Sequence, residues 1–276
     1  MKGMHPATTP RQLLGARLTA AALLTAAALL APPALAQSAE EKGLAIAVEA
    51  QQRDSGWGDS RAAMLMVLKN RQGDESLRKV RARNLEVDGD GDKSLSIFDQ
   101  PRDVKGTAFL SFSHATQPDD QWLYLPALKR VKRISSRNKS GPFMGSEFAY
   151  EDISSQEVEK YSYKYLRDEQ VDGRDSFVVE RYPEYENSGY TRQVAWIDVE
   201  RYIPLKVDFY DRKNSLLKTL SYSGYRQYLD RYWRADSMLM INHQNGKSTR
   251  LDWSDYQFDT GLQDRDFDKN ALKRLR

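Results

Sequence analysis

The chain has 276 residues, room for one large domain or two small ones, with a hydrophobic share of 40% and an aromatic share of 11%. That composition excludes a disordered chain and favours a β-rich fold, because Tyr, Phe and Trp suit half-buried pleated surfaces. The lack of any cysteine excludes disulfides, thiol catalysis, thiolate metal sites and a lipidated N-terminal Cys, and three histidines (His5, His114, His243) are too few for a His-rich metal site.

The first 36 residues have the order of an export leader. Lys2, Arg11 and Arg17 precede an apolar run from Leu18 to Ala31, and Ala34-Leu35-Ala36 forms a small-residue cleavage site. Cleavage after Ala36 is expected, leaving 37–276 as one mature domain. The run is short for a membrane span, and no later run approaches that length. Three of the 42 basic residues lie in the leader, so the remainder balances the 39 acids and exerts no global pull on nucleic acid. A cysteine-free exported chain fits a Gram-negative periplasm.

Beyond the leader, Ser38-Ala39-Glu40-Glu41 reads as a capping box, and Leu44, Ala47 and Val48 follow at helical spacing. This predicts a helix ending near Asp54-Ser55-Gly56, with Trp57 in the loop after it. Ala63–Leu68 is a continuous apolar run expected to be a strand covered on both faces. Strand-like runs follow at Leu77–Val87, Ser94–Phe98, Val104–His114 and Trp122–Leu125. In the second half they recur at Tyr161–Tyr165, Phe177–Val179, Thr191–Val199 and Ile203–Phe209. The last four are Leu216–Tyr222, Tyr225–Leu229, Tyr232–Ile241 and Thr249–Phe258. Asp172-Gly173, Asn187-Ser188-Gly189, Asn214 and Asn245-Gly246 fall between them as turns, and Asn-Gly is a strong hairpin signal. The spacing predicts one antiparallel meander: a large curved sheet flanked by helices, without internal repeats.

Three segments stand out chemically. Asp88 to Asp99 places Asp88, Asp90 and Asp92 at alternate positions, as a calcium loop does. The sharp-turn glycine of such a loop is replaced by Lys93 and its bidentate Glu by Asp99, so a polar turn without metal is expected. Lys129 to Arg133 is the most basic stretch; it fits a solvated strand edge, or contact with anionic headgroups or an acidic partner. Gly141 to Asp152 sets Phe143, Met144, Phe148 and Tyr150 among glycines with weak periodicity, so it needs an apolar surface to sit on. The motifs of serine hydrolases, zinc proteases and phosphate-binding loops are missing, which argues against an enzyme and against a bound cofactor.

The stretch Gln121–Ile134 (QWLYLPALKRVKRI), followed by Gly145–Asp152 (GSEFAYED), resembles the outer-membrane lipoprotein-sorting protein family with a LolA-like domain. Gly91–Leu95 and Val104–Leu110 look like the same family, and the similarity runs from about Ala50 to the C-terminus. The resemblance implies a mainly β fold: a half-open antiparallel barrel with helices plugging its concave face. It implies a soluble carrier of lipid or lipoprotein acyl chains across the periplasm, with an RND/MMPL-type exporter as a partner. On that reading Trp122, Tyr124, Tyr161, Tyr163, Trp196 and Phe209 are candidate cavity-wall residues. Leu44–Gln52 and Phe143–Ile153 are candidate lids, with Phe143, Met144, Phe148 and Tyr150 as anchors. Arg130, Lys132 and Arg133 are candidate headgroup or partner contacts. A monomer with no metal is expected. A sensor module for lipoproteins, an exporter accessory subunit and an envelope hydrolase are the alternatives.

Overall fold

Period-two alternation runs through almost the whole chain, and it goes into a single sheet. The computed structural model describes residues 37–274; the leader and its cleavage site at Ala36 lie outside these residues. Helix α1 spans Ala39–Arg53, and its N-terminus carries the expected capping box: Ser38 Oγ accepts from the Glu41 amide and Glu41 returns the bond to the Ser38 amide. Thirteen strands follow. The first six are β1 (Asp59–Lys69), β2 (Glu75–Leu85), β3 (Lys93–Gln100), β4 (Ala108–Phe112), β5 (Asp120–Leu125) and β6 (Arg130–Ile134). The other seven are β7 (Tyr161–Val171), β8 (Arg174–Pro183), β9 (Tyr190–Asp198), β10 (Pro204–Asp211), β11 (Leu216–Tyr228), β12 (Tyr232–Asn242) and β13 (Ser248–Phe258).

Every ladder is antiparallel, and the spatial order is β6-β5-β4-β3-β2-β1-β13-β12-β11-β10-β9-β8-β7. Two meanders are therefore fused at β1–β13, where Met64 faces Trp253 and Met66 faces Leu251. The consequence is topological. Strands β6 and β7 are consecutive in the chain but lie at opposite edges of the sheet, so the sheet does not close. Residues 135–160 must cross from one edge to the other. This crossing strap consists of short 3-10 turns, and it lies on the inner face of the sheet.

The strap makes the main core. Phe143 and Phe148, both 1% exposed, pack among Met66, Val80, Phe98, Phe109, Leu220 and Met240. The Phe143 ring meets Phe109 edge-on at 5.1 Å and Tyr150 at 5.6 Å. Burying two such rings contributes several kcal/mol at the roughly 25 cal/mol per Å² of apolar surface. Strap residues Glu147 and Asp152 are tied to the sheet by polar contacts. Lys218 Nζ lies 2.6 Å from Asp152 Oδ2, both side chains almost fully buried, and it also donates to the Glu147 carbonyl. Tyr190 OH donates to Asp152 Oδ1 at 2.8 Å, and Asn242 Nδ2 donates to Glu147 Oε2 at 2.7 Å.

Helix α1 covers the inner face at the β7 edge, with Ile46 and Ala47 against Tyr161, Tyr163 and Val179. Gly43 permits this approach, since a Cβ there would sit 2.7 Å from the Tyr165 amide nitrogen. On the outer face the C-terminal segment folds back. Leu262, Phe267 and Leu272 cover Leu95, Ile97, Ala108 and Leu110. Among the described residues α1 is the one α-helix, and no helix there is long and apolar enough to cross a membrane.

Candidate functional site

The strap and α1 do not cover the inner face completely. Between them and the sheet lies a cavity of about 1460 Å³, larger than the roughly 300–1,000 Å³ of a drug-sized pocket. Its floor comes from β7 to β13 and includes Tyr163, Val179, Ile197, Val207, Tyr222 and Met238. Its roof is the second half of α1 and strap residues Ile153–Glu159. Exposed Gln52, Asp54, Glu200 and Arg231 also line it, so it reaches solvent. Alternation explains the floor: each strand turns one of its two residue sets toward the strap and α1.

The lining is segregated. Apolar and aromatic side chains dominate on β9 to β13. Where the β2–β3 turn meets the strap, the wall is acidic: Glu86, Asp88, Asp90, Asp92, Glu157 and Glu159. Burial, reinforced by the neighbouring charge of Glu157, pushes the Asp92 carboxyl up to about 7. Glu86 is held by the Gly56 and Gly58 amides at 2.7 and 2.8 Å. Burial likewise pushes the Tyr222 phenol up to about 12, so it stays neutral. No histidine and no lysine is among the described lining residues, and among the described residues no group of three or more His, Cys, Asp or Glu is placed to hold a metal.

Of the six expected wall residues, the structure brings Tyr163 to the cavity, its hydroxyl donating to the Val158 carbonyl at 3.2 Å. Tyr161 is on the same face but is enclosed by Gln156 and Tyr185. Phe209 faces inward and packs on Tyr190 in the core beneath the strap. Trp122 and Tyr124 lie on the outer face with the C-terminal segment, and Trp196 lies on the outer face with Val178, Val194 and Tyr210. Of the expected lids, the second half of α1 and Ile153 line the cavity. Phe143, Met144, Phe148 and Tyr150 instead belong to the core cluster or pack against it. Arg130, Lys132 and Arg133 are exposed on edge strand β6, with Arg133 paired to Asp120. The sequence reasoning passed over Tyr222, Met238, Trp253 and Glu157. Period-two alternation in β11–β13 marks the first three only once a face has been assigned, and nothing local marks Glu157.

A solved domain from Vibrio parahaemolyticus, described as an outer membrane lipoprotein-sorting protein domain, is 65% identical to this chain, with a TM-score of 0.84. The match covers 85% of this chain and all of that one. The chain belongs to the outer-membrane lipoprotein-sorting protein family. A DUF1329 family protein from Desulfovibrio piger is 34% identical with a TM-score of 0.81, over 85% of this chain and 99% of that one. A LolA superfamily protein from Nitrosomonas europaea, 22% identical with a TM-score of 0.67 over 83% and 98% of the two chains, shares the fold. A family model described as an uncharacterized protein matches residues 90–274. No curated protein matches the chain. The unclosed 13-stranded antiparallel sheet with one α-helix among the described residues is the LolA-like fold.

Proposed function

We propose that this lipoprotein-sorting family member is a periplasmic carrier that holds a lipid or the acyl chains of a lipoprotein in its inner cavity and moves it between the inner and outer membranes. The observation that carries the reading is the cavity itself, walled by Val179, Ile197, Val207, Tyr222 and Met238 and roofed by the second half of α1 and the strap. An acyl chain laid on that floor gains about 0.8 kcal/mol per buried CH₂. Loading is then a competition between the roof and the lipid for the same surface. The leader is cleaved after Ala36, the mature protein is a monomer, and Arg130, Lys132 and Arg133 meet anionic headgroups or an RND/MMPL-type exporter. On this reading the work is carriage rather than catalysis. Titration with a fluorescent fatty acid below micelle formation tests this. Saturable binding, competed by unlabelled lipid, is expected; no binding removes the carrier reading.

A further inference from the structure

The acidic end of the cavity contains a group that the fold does not satisfy. Glu157 lines the cavity and is 7% exposed, and its Oε1 is buried with no hydrogen-bond partner. Its Oε2 accepts only a long bond, 3.3 Å, from Gln51 Nε2 on α1. Buried carboxylate oxygens are almost always paired, because leaving one unmade forfeits its hydration. The surroundings deepen the deficit. Asp92 lines the same end, and the charges acting on it are those of Glu157 and Glu86, both of its own sign. Neither Glu157 nor Asp92 forms an ion pair with a lysine or arginine of the described chain. Of the cavity's cationic side chains, Arg231 and Arg234 line its rim with α1's end, Arg234 being occupied by Asp54, while Arg181 on β8 stacks over Tyr161 and donates to Gln193 Oε1 at 2.8 Å.

We propose that Glu157 and Asp92 form a headgroup subsite that receives the primary ammonium of the carried amphiphile, its N–H donors supplying the bond that Glu157 Oε1 lacks. This rests on the carrier reading and names the cargo class: an acyl chain with a cationic amine head. An ammonium fits better than a metal ion, because the described residues offer no cluster of three metal-ligating side chains. It also fits the segregation of the wall, which sets carboxylates at one end and an apolar floor beside them. Bonds from an ammonium to a carboxylate are charge-assisted and gain strength away from water.

The test compares dodecylamine with dodecanol, equal in chain length and different in head, by calorimetry at neutral pH below micelle formation. The wild type binds dodecylamine about tenfold or more tightly than dodecanol, a ratio within reach of one charge-assisted pair. Glu157→Gln, which keeps the size and the neighbour of Gln51, brings the ratio close to one and melts no lower than wild type. Asp92→Asn lowers the ratio in the same direction. Equal binding of the two probes by the wild type, or a preference that survives in Glu157→Gln, overturns the subsite and leaves the carrier reading intact. Binding of neither probe overturns both. Lysophosphatidylethanolamine and a diacylglyceryl lipopeptide with a free α-amine then separate the two sources of such a head: the one bound more tightly in the wild type, and weakened by Glu157→Gln, names the source.

Discussion

Phe148→Ala distinguishes a core strap from a displaceable lid. The Phe148 ring is 1% exposed and sits in the main core with Phe143, against strands from both meanders. Truncating a buried Phe costs about 3–5 kcal/mol in lost transfer energy and cavity formation. In a domain of this size each kcal/mol moves the melting midpoint by roughly 2–4 °C, so a fall of roughly 10 °C is expected. The strap should stay in place, because its polar ties do not involve the ring: Lys218 holds Asp152 at 2.6 Å and Asn242 holds Glu147 at 2.7 Å. Phe148 does not line the cavity, so fatty-acid affinity should change by less than about threefold, well under the 1.4 kcal/mol of a tenfold change. Thermal melting beside fluorescent fatty-acid titration reads both quantities. A variant that melts lower and binds about tenfold more tightly or better would refute the reasoning. It would mean that lipid displaces the Phe148 anchor and recovers part of its packing energy.

Three further outcomes follow from the same geometry. Lys218→Met should cost about 3–5 kcal/mol in chemical denaturation, because it leaves the Asp152 carboxylate buried without its cation; a cost under about 1 kcal/mol would place that pair in water. The Asp92 carboxyl is raised in the folded protein from 3.8 to about 7, so its contribution is fully present below pH 3.8 and is lost as the pH rises through about 7. Melting of wild type and Asp92→Asn across that window should diverge by on the order of 3 kcal/mol in favour of the variant at the alkaline end, and parallel curves would contradict the assignment. Gly43→Ala should lower the melting midpoint although alanine is the better helix former by about 1 kcal/mol, since its Cβ would meet the Tyr165 amide nitrogen at 2.7 Å; a higher midpoint would mean that α1 is not seated on β7.

What could be read from the sequence was local. The capping box at Ser38, the helix that ends at Asp54, and the Asn245-Gly246 hairpin between β12 and β13 all have short-range signatures, and Gly246 adopts the positive φ of 72° such a turn needs. Several strand limits differ from expectation, as where Tyr161–Tyr165 lengthens to Tyr161–Val171 and Phe177–Val179 to Arg174–Pro183, and two of the differences have a visible local reason. Val104–His114 shortens to Ala108–Phe112, because Val104 closes a turn onto the Pro101 carbonyl and Gly106 takes a φ of 82°. Leu216–Tyr222 and Tyr225–Leu229 merge into β11, with Gly224 at φ 67° accommodated inside the strand. The strand order was not legible, since the pairing of β1 with β13 and the opposite placement of β6 and β7 depend on contacts far apart in sequence. Face assignment failed for the same reason. A one-residue change of parity moves a side chain to the other face, and Trp122, Tyr124 and Trp196 have the outward parity. The acidic end of the cavity needed the strap's crossing to bring Glu157 beside Asp92, and no spacing rule announces that.

Native mass spectrometry of the protein purified from its own envelope tests the central claim most directly. The account predicts a population carrying a bound amphiphile, released by organic solvent and identified by mass as acylated, with one equivalent per chain. Protein that flies only at the mass of the bare chain, and that takes up no acyl amphiphile when one is added below micelle formation, would contradict it.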